Sequence, residues 1–88
     1  MTYRVRVARG AARQLAMHLP EPTATACVEF LYGPLAAEPH RVGAPLRAPF
    51  EGLYRARRGE YRVRYRIDED DARTVTVLDI SRRRDAYR

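Results

Sequence analysis

Eighty-eight residues with a net charge of +6 and a pI near 10.2 make a single domain, 1–88, with room for one two-layer core, and the charge favours an anionic partner such as nucleic acid. A hydrophobic content of 45% excludes general disorder, no apolar run approaches the ~18 residues of a membrane span, and the N-terminus has no signal-peptide core, so a cytoplasmic protein with no membrane partner is expected. The single cysteine, Cys27, excludes an internal disulfide, and with only His18 and His40 to join it no ordinary zinc ligand set exists, so no metal and no other cofactor is expected.

From Tyr3 to Ala8 the residues Tyr3, Val5 and Val7 alternate with Arg4 and Arg6, the period of two that marks a strand with one covered face. Ala12, Leu15, Ala16 and Leu19 then sit at helical spacing, and this helix stops before Pro20. Pro22 suits a first helical position, and Ala24, Cys27, Val28 and Leu31 carry a second helix until Gly33-Pro34 ends it. Glu38 to Glu51, with Pro39, Gly43, Pro45 and Pro49, keeps no period and reads as a long crossing loop. Leu53 to Arg58 and Glu60 to Ile67 flank Arg58-Gly59 as a hairpin, and a third strand, Thr74 to Ile80, follows the acidic turn Asp68-Glu69-Asp70-Asp71.

The fold class expected is α+β in the order βααβββ, an antiparallel-dominated four-stranded sheet with the N-terminal helical hairpin on one face. Tyr61, Val63, Tyr65 and Ile67 make the covered face of the central strand. The opposite face carries arginine.

All seventeen basic side chains are arginine, and eleven lie between Arg55 and Arg88. A run such as Arg62-Val63-Arg64-Tyr65-Arg66 lines guanidinium groups along one face of a sheet. Each guanidinium is planar, permanently charged and able to hold phosphate oxygens through two parallel hydrogen bonds. Phosphate recognition is the reading this pattern favours.

The segment Glu51-Gly52-Leu53-Tyr54-Arg55-Ala56-Arg57-Arg58-Gly59-Glu60-Tyr61-Arg62-Val63-Arg64-Tyr65, followed by Ile80-Ser81-Arg82-Arg83-Arg84-Asp85-Ala86-Tyr87, resembles the RelE/ParE superfamily of bacterial toxins. Leu19-Pro20 between the helices and the Pro39-His40-Arg41 and Pro45-Leu46-Arg47 loop fit the same family. The resemblance implies a RelE-like fold and the toxin of a type II toxin–antitoxin system. Such a toxin enters the ribosomal A site, cleaves messenger RNA without a metal ion, and is held inactive in a hetero-oligomer with an acidic, partly disordered RelB-like antitoxin.

Metal-free cleavage of RNA by its own 2′-hydroxyl needs a base, cationic donors for the charge on the phosphorane, and an acid for the leaving 5′-oxygen. By resemblance Arg62 and Arg83 grip the scissile phosphate, Tyr87 stacks on a base or shares in proton transfer, and Arg55 completes the catalytic set. Arg57, Arg58, Arg82 and Arg84 extend it as RNA-binding residues, while Arg64 and Arg66 read as outer-face residues that keep the chain soluble or bind the antitoxin. The best-known relatives carry lysines on the first hairpin strand, where this chain has Leu53 and Arg55, and many carry histidine where it has Arg82. Arginine does not shuttle protons, so the base is open, with Glu51 the nearest carboxylate and His40 a second candidate. Two other readings stand beside the nuclease: a ParE-like toxin that binds DNA gyrase, and a non-catalytic basic module binding RNA or the ribosome.

Overall fold

The computed structural model describes residues 2–70 and 73–82. Five strands form one sheet in the order β1-β5-β4-β3-β2: β1 Arg4–Val7, β2 Ala44–Pro45, β3 Leu53–Arg58, β4 Tyr61–Asp68 and β5 Thr74–Arg82. The three long strands run antiparallel, and β1 joins the far side of β5 in parallel, Val5 opposite Val75 and Val7 opposite Val77. The sheet has one strand more than its sequence suggests. Ala44 and Pro45 pair with Arg55 and Tyr54 at the outer edge, where a proline with no N–H to donate is tolerated. Within the same stretch, α3 Pro39–Val42 forms a helical turn, and Tyr65 Oη donates to the Pro39 carbonyl across 2.7 Å. Gly43 makes this docking possible. A Cβ there would lie 2.8 Å from the Arg55 carbonyl oxygen and closer still to Tyr65 Oη.

The helical hairpin covers one face. α1 Arg9–Arg13 continues as a π-helical segment, Gln14–His18, and ends at Leu19, whose extended backbone (φ −104°, ψ 140°) is what the following proline ring imposes. α2 Glu21–Phe30 does not end at Gly33-Pro34. It continues through a π-helical Leu31–Leu35 and two further helical residues, 36–37. Pro34 has no N–H, and its ring crowds the carbonyl four residues back; the wider π turn relieves that clash. Leu31, Leu35 and Ala36 are buried by the continuation, at roughly 1.5–3 kcal/mol for each leucine.

The buried stripes differ from the expected ones by part of a turn. Ala11, Leu19, Cys27, Phe30, Leu31 and Leu35 meet the sheet, while Ala12, Ala16 and Val28 line an open groove between the helices with Leu15, Val7 and Tyr32. Leu19, Cys27 and Leu31 are buried as their spacing suggests, whereas Ala11 takes the place of Ala12 and Phe30 that of Val28 within the α-helical turns themselves. From the sheet side Ala56, Tyr61, Val63, Tyr65, Val75, Val77 and Ile80 complete the core, with Tyr54 stacked on Tyr65 at 5.6 Å between centroids.

One irregularity in β5 decides what lies on its other face. Arg64 pairs with Asp79 but the next residue, Tyr65, pairs with Val77, so β5 carries an extra residue at Leu78. Strict alternation from Val75 and Val77 would send Asp79 into the core and Ile80 out of it. The bulge reverses both: Ile80 is fully buried and Asp79 is half-exposed on the outer face.

Candidate nucleic-acid interface

Residues directly opposite each other in antiparallel strands point to the same side. The register places Arg55 opposite Arg64 and Arg57 opposite Arg62 between β3 and β4, and Arg64 opposite Asp79 and Arg62 opposite Ser81 between β4 and β5. All lie on the face away from the helices. Two arginine pairs facing each other disfavour the sheet locally, since like charges directly opposite are destabilising. The same arrangement concentrates positive potential where an anion can collect it.

The arginine face is concave. A cavity of about 280 Å³ is lined by Arg55, Arg62 and Arg64, by Asp79 and Ser81 of β5, and by Leu46 and Phe50 from the loop before β3. That loop is held by its backbone: Leu46 N donates to Leu53 O (2.9 Å), Phe50 N to Arg47 O (2.9 Å) and Leu53 N to Phe50 O (3.1 Å). Gly52, at φ +89°, makes a turn that other residues adopt only with strain. The result is an exposed phenyl ring beside the guanidinium groups, with Arg64 Cζ 5.9 Å from the Phe50 centroid, within cation–π range. Arg64 Nε also lies 3.8 Å from Asp79 Oδ2, both side chains about 40% exposed. Guanidinium groups beside an exposed aromatic ring match how proteins hold single-stranded nucleic acid, with charge for the backbone and a ring for a base.

Of the residues singled out in the sequence, Arg55 and Arg62 meet in the cavity and Arg57 stands opposite Arg62 on the same face. Arg58 lies on the other face, its Cζ 4.9 Å from the centre of the Phe30 ring. Arg82 pairs with Tyr61, which puts it on the helix side by register. Glu51 is exposed in the turn before Gly52 and does not line the cavity. Arg83, Arg84 and Tyr87 lie outside the described residues. His40 is bonded elsewhere, through Nε2 to Glu69 and within 3.4 Å of Tyr54 Oη at Nδ1. Hydrogen bonds from His40 and Tyr3 hold the Glu69 carboxyl below its usual range. Among the described residues no three His, Cys, Asp or Glu side chains gather as metal ligands.

Five cavity residues were not read as site residues from the sequence: Leu46, Phe50, Arg64, Asp79 and Ser81. For Asp79 a signal existed, because Val75, Val77 and Ile80 break the period of two with a step of three. Phe50 had none, since its place depends on the β2–β3 pairing.

The fold is that of a bacterial toxin class. A family model described as the ParE toxin of the type II toxin–antitoxin system, parDE, matches residues 5–87, and the chain belongs to that family. It is 52% identical to Toxin RelE of Mycobacterium tuberculosis over 98% of this chain and 87% of that one, and 48% identical to Toxin RelG of the same organism over 100% and 99%. Among solved structures it is similar to the toxin–antitoxin complex RelBE2 of Mycobacterium tuberculosis (TM-score 0.88, 46% identity, 94% of this chain and 100% of that one). The archaeal RelE–RelB complex of Pyrococcus horikoshii OT3 is also similar (TM-score 0.64, 27% identity, 94% and 97%).

Proposed function

We propose that this toxin cleaves messenger RNA on the ribosome, with the Arg55–Arg62–Arg64 cavity as the site that holds the scissile phosphate. The carrying observation is the convergence of three guanidinium groups and the Phe50 ring in one cavity. Charge on the phosphorane is met by donors already held on a sheet, which need no reorganisation as the charge develops. Phe50 offers a face to one of the flanking bases. Arg83 and Tyr87 join the site on the strength of the family resemblance, Arg83 as a second phosphate donor and Tyr87 in stacking or proton transfer. Attack by the 2′-hydroxyl proceeds without a metal ion, with arginines in the charge-stabilising role.

The partner that restrains the toxin is a RelB-like antitoxin. Support comes from the two structural neighbours, each a complex of a toxin with its antitoxin. An acidic, partly disordered segment would neutralise the arginine face, and the pair would form a hetero-oligomer.

A second reading has a specific observation behind it, the ParE description of the matching family, which points to DNA gyrase. The relatives named RelE and RelG, at about half identity over nearly the whole chain, favour the ribosome. Cell-free translation run beside a gyrase supercoiling assay separates the two. The expected outcome is arrested translation, with messenger RNA cut only when ribosomes are present and at a rate insensitive to magnesium over the range in which ribosomes stay assembled. Lost supercoiling with intact translation would move the target to gyrase, and binding to ribosomes without cleavage would leave a non-catalytic module.

A further inference from the structure

We propose that Asp79 is the proton acceptor of the arginine cavity, taking the proton from the attacking 2′-hydroxyl. This rests on the RNA-cleaving reading above and supplies the group that reading lacks. Guanidinium donates hydrogen bonds and accepts none, so Arg55, Arg62 and Arg64 stabilise charge but cannot serve as base. Among the described residues lining the cavity, Asp79 is the one carboxylate. The other candidates are elsewhere: Glu51 is in an exposed turn, and His40 is bonded to Glu69.

Asp79 reaches this face only because β5 is bulged. The pairing steps from Arg64–Asp79 to Tyr65–Val77, which turns the carboxylate out toward Arg62 and Arg64 while Ile80 stays in the core. Bulges are over-represented beside active sites because they re-aim a side chain in this way. The ion pair with Arg64, 3.8 Å long and about 40% exposed on both sides, contributes little to stability. What places the carboxylate beside the groups that would hold the phosphate is the strand register.

In the step assigned here, Asp79 accepts the 2′-proton as the 2′-oxygen bonds to phosphorus. The bond from phosphorus to the 5′-oxygen breaks, water protonates that oxygen, and Asp79 returns its proton to the solvent. The products are a 2′,3′-cyclic phosphate and a 5′-hydroxyl.

The test is single-turnover cleavage of ribosome-bound messenger RNA by the wild-type chain, Asp79→Asn, Asp79→Ala and Arg64→Gln, each checked for an unchanged thermal midpoint. Asp79→Asn keeps shape but cannot take the proton, and should lower kcat about 100- to 1000-fold with KM nearly unchanged. Added formate should restore part of the activity of Asp79→Ala, since a small carboxylate can enter the space vacated, and should leave Arg64→Gln unaffected. Asp79→Asn cleaving within about threefold of wild type would overturn the proposal. So would an Asp79→Ala chain that formate does not help while Arg64→Gln loses as much, because Asp79 would then only position Arg64. A wild-type chain that cuts no messenger RNA removes the functional reading itself and this assignment with it.

Discussion

At the scale of single residues, the cavity separates groups that hold charge from groups that hold shape. Arg62 sits in the centre of the arginine face with its Nε buried, flanked by Arg57 and Ser81 in register. Arg62→Ala should lower cleavage by about 100- to 1000-fold, or ~3–4 kcal/mol of transition-state stabilisation, with the fold retained. Wild-type toxicity of this variant in cells would remove Arg62 from the site. Phe50 permits a direct optical test, because the chain contains no tryptophan. Phe50→Trp places a single indole on the cavity wall, and binding of a short single-stranded oligoribonucleotide should quench its fluorescence. An oligonucleotide with an abasic residue at the stacked position should bind with less quenching, and equal quenching by both would show that no base reaches the ring.

Burial also sets how the core responds to alkali. It pushes the Cys27 thiol up to about 11 and the Tyr61 and Tyr65 phenols up to about 12. These groups ionise first in the unfolded chain, near 9 and 10, so the stability from keeping them neutral is intact below pH 9 and is lost as pH rises from about 9 to 12. The urea midpoint should therefore be flat from pH 7 to 8.5 and fall by pH 10.5. An unchanged midpoint at pH 10.5 would contradict the burial of all three.

At the scale of elements, the site depends on two departures from regularity. One is the β5 bulge, which sends Asp79 out and Ile80 in. The other is the close docking of the α3–β2 segment against β3, which places the following loop, with Leu46 and Phe50, over the arginine face. Gly43 is the point of closest approach. Gly43→Ala forces a methyl group against the Arg55 carbonyl and Tyr65 Oη, and should destabilise the chain by about 1–3 kcal/mol. Because Arg55 is the residue displaced, RNA binding should weaken as well. A variant with unchanged urea midpoint and RNA affinity would show that the segment has room to shift.

For the whole molecule, a net charge of +6, with a cluster of arginines on the outer face of the sheet, favours encounter with polyanions and disfavours self-association. An acidic antitoxin segment should associate by steering, so raising salt from roughly 0.1 to 0.5 M should slow association far more than it speeds dissociation. Stopped-flow or surface-binding rates would show this. Association insensitive to salt would place the antitoxin on a surface other than the arginine face.

Much of this was legible in the chain. Alternation at Tyr3–Val7 and Tyr61–Tyr65, the Leu19-Pro20 break and the Arg58-Gly59 turn are local signals, and local signals set strands, helix ends and the two faces of β4. The period of two put Arg62 opposite the core, while the choice of Arg55 and Arg62 as site residues came from the family resemblance. The remainder depended on contacts between segments distant in sequence. Pro34 reads as a helix stop, yet burial of Leu31, Leu35 and Ala36 against the sheet outweighs its local preference. Arg57 and Arg58 look equivalent in a run of arginines, but adjacent strand residues point to opposite faces, so one lies on the arginine face opposite Arg62 and the other covers Phe30. Asp79 reaches the cavity through pairing with β4, and Phe50 through pairing of β2 with β3. A side chain's face is written in its own strand's period only while the ladder is regular; where a bulge or a long loop intervenes, the partner strand decides it.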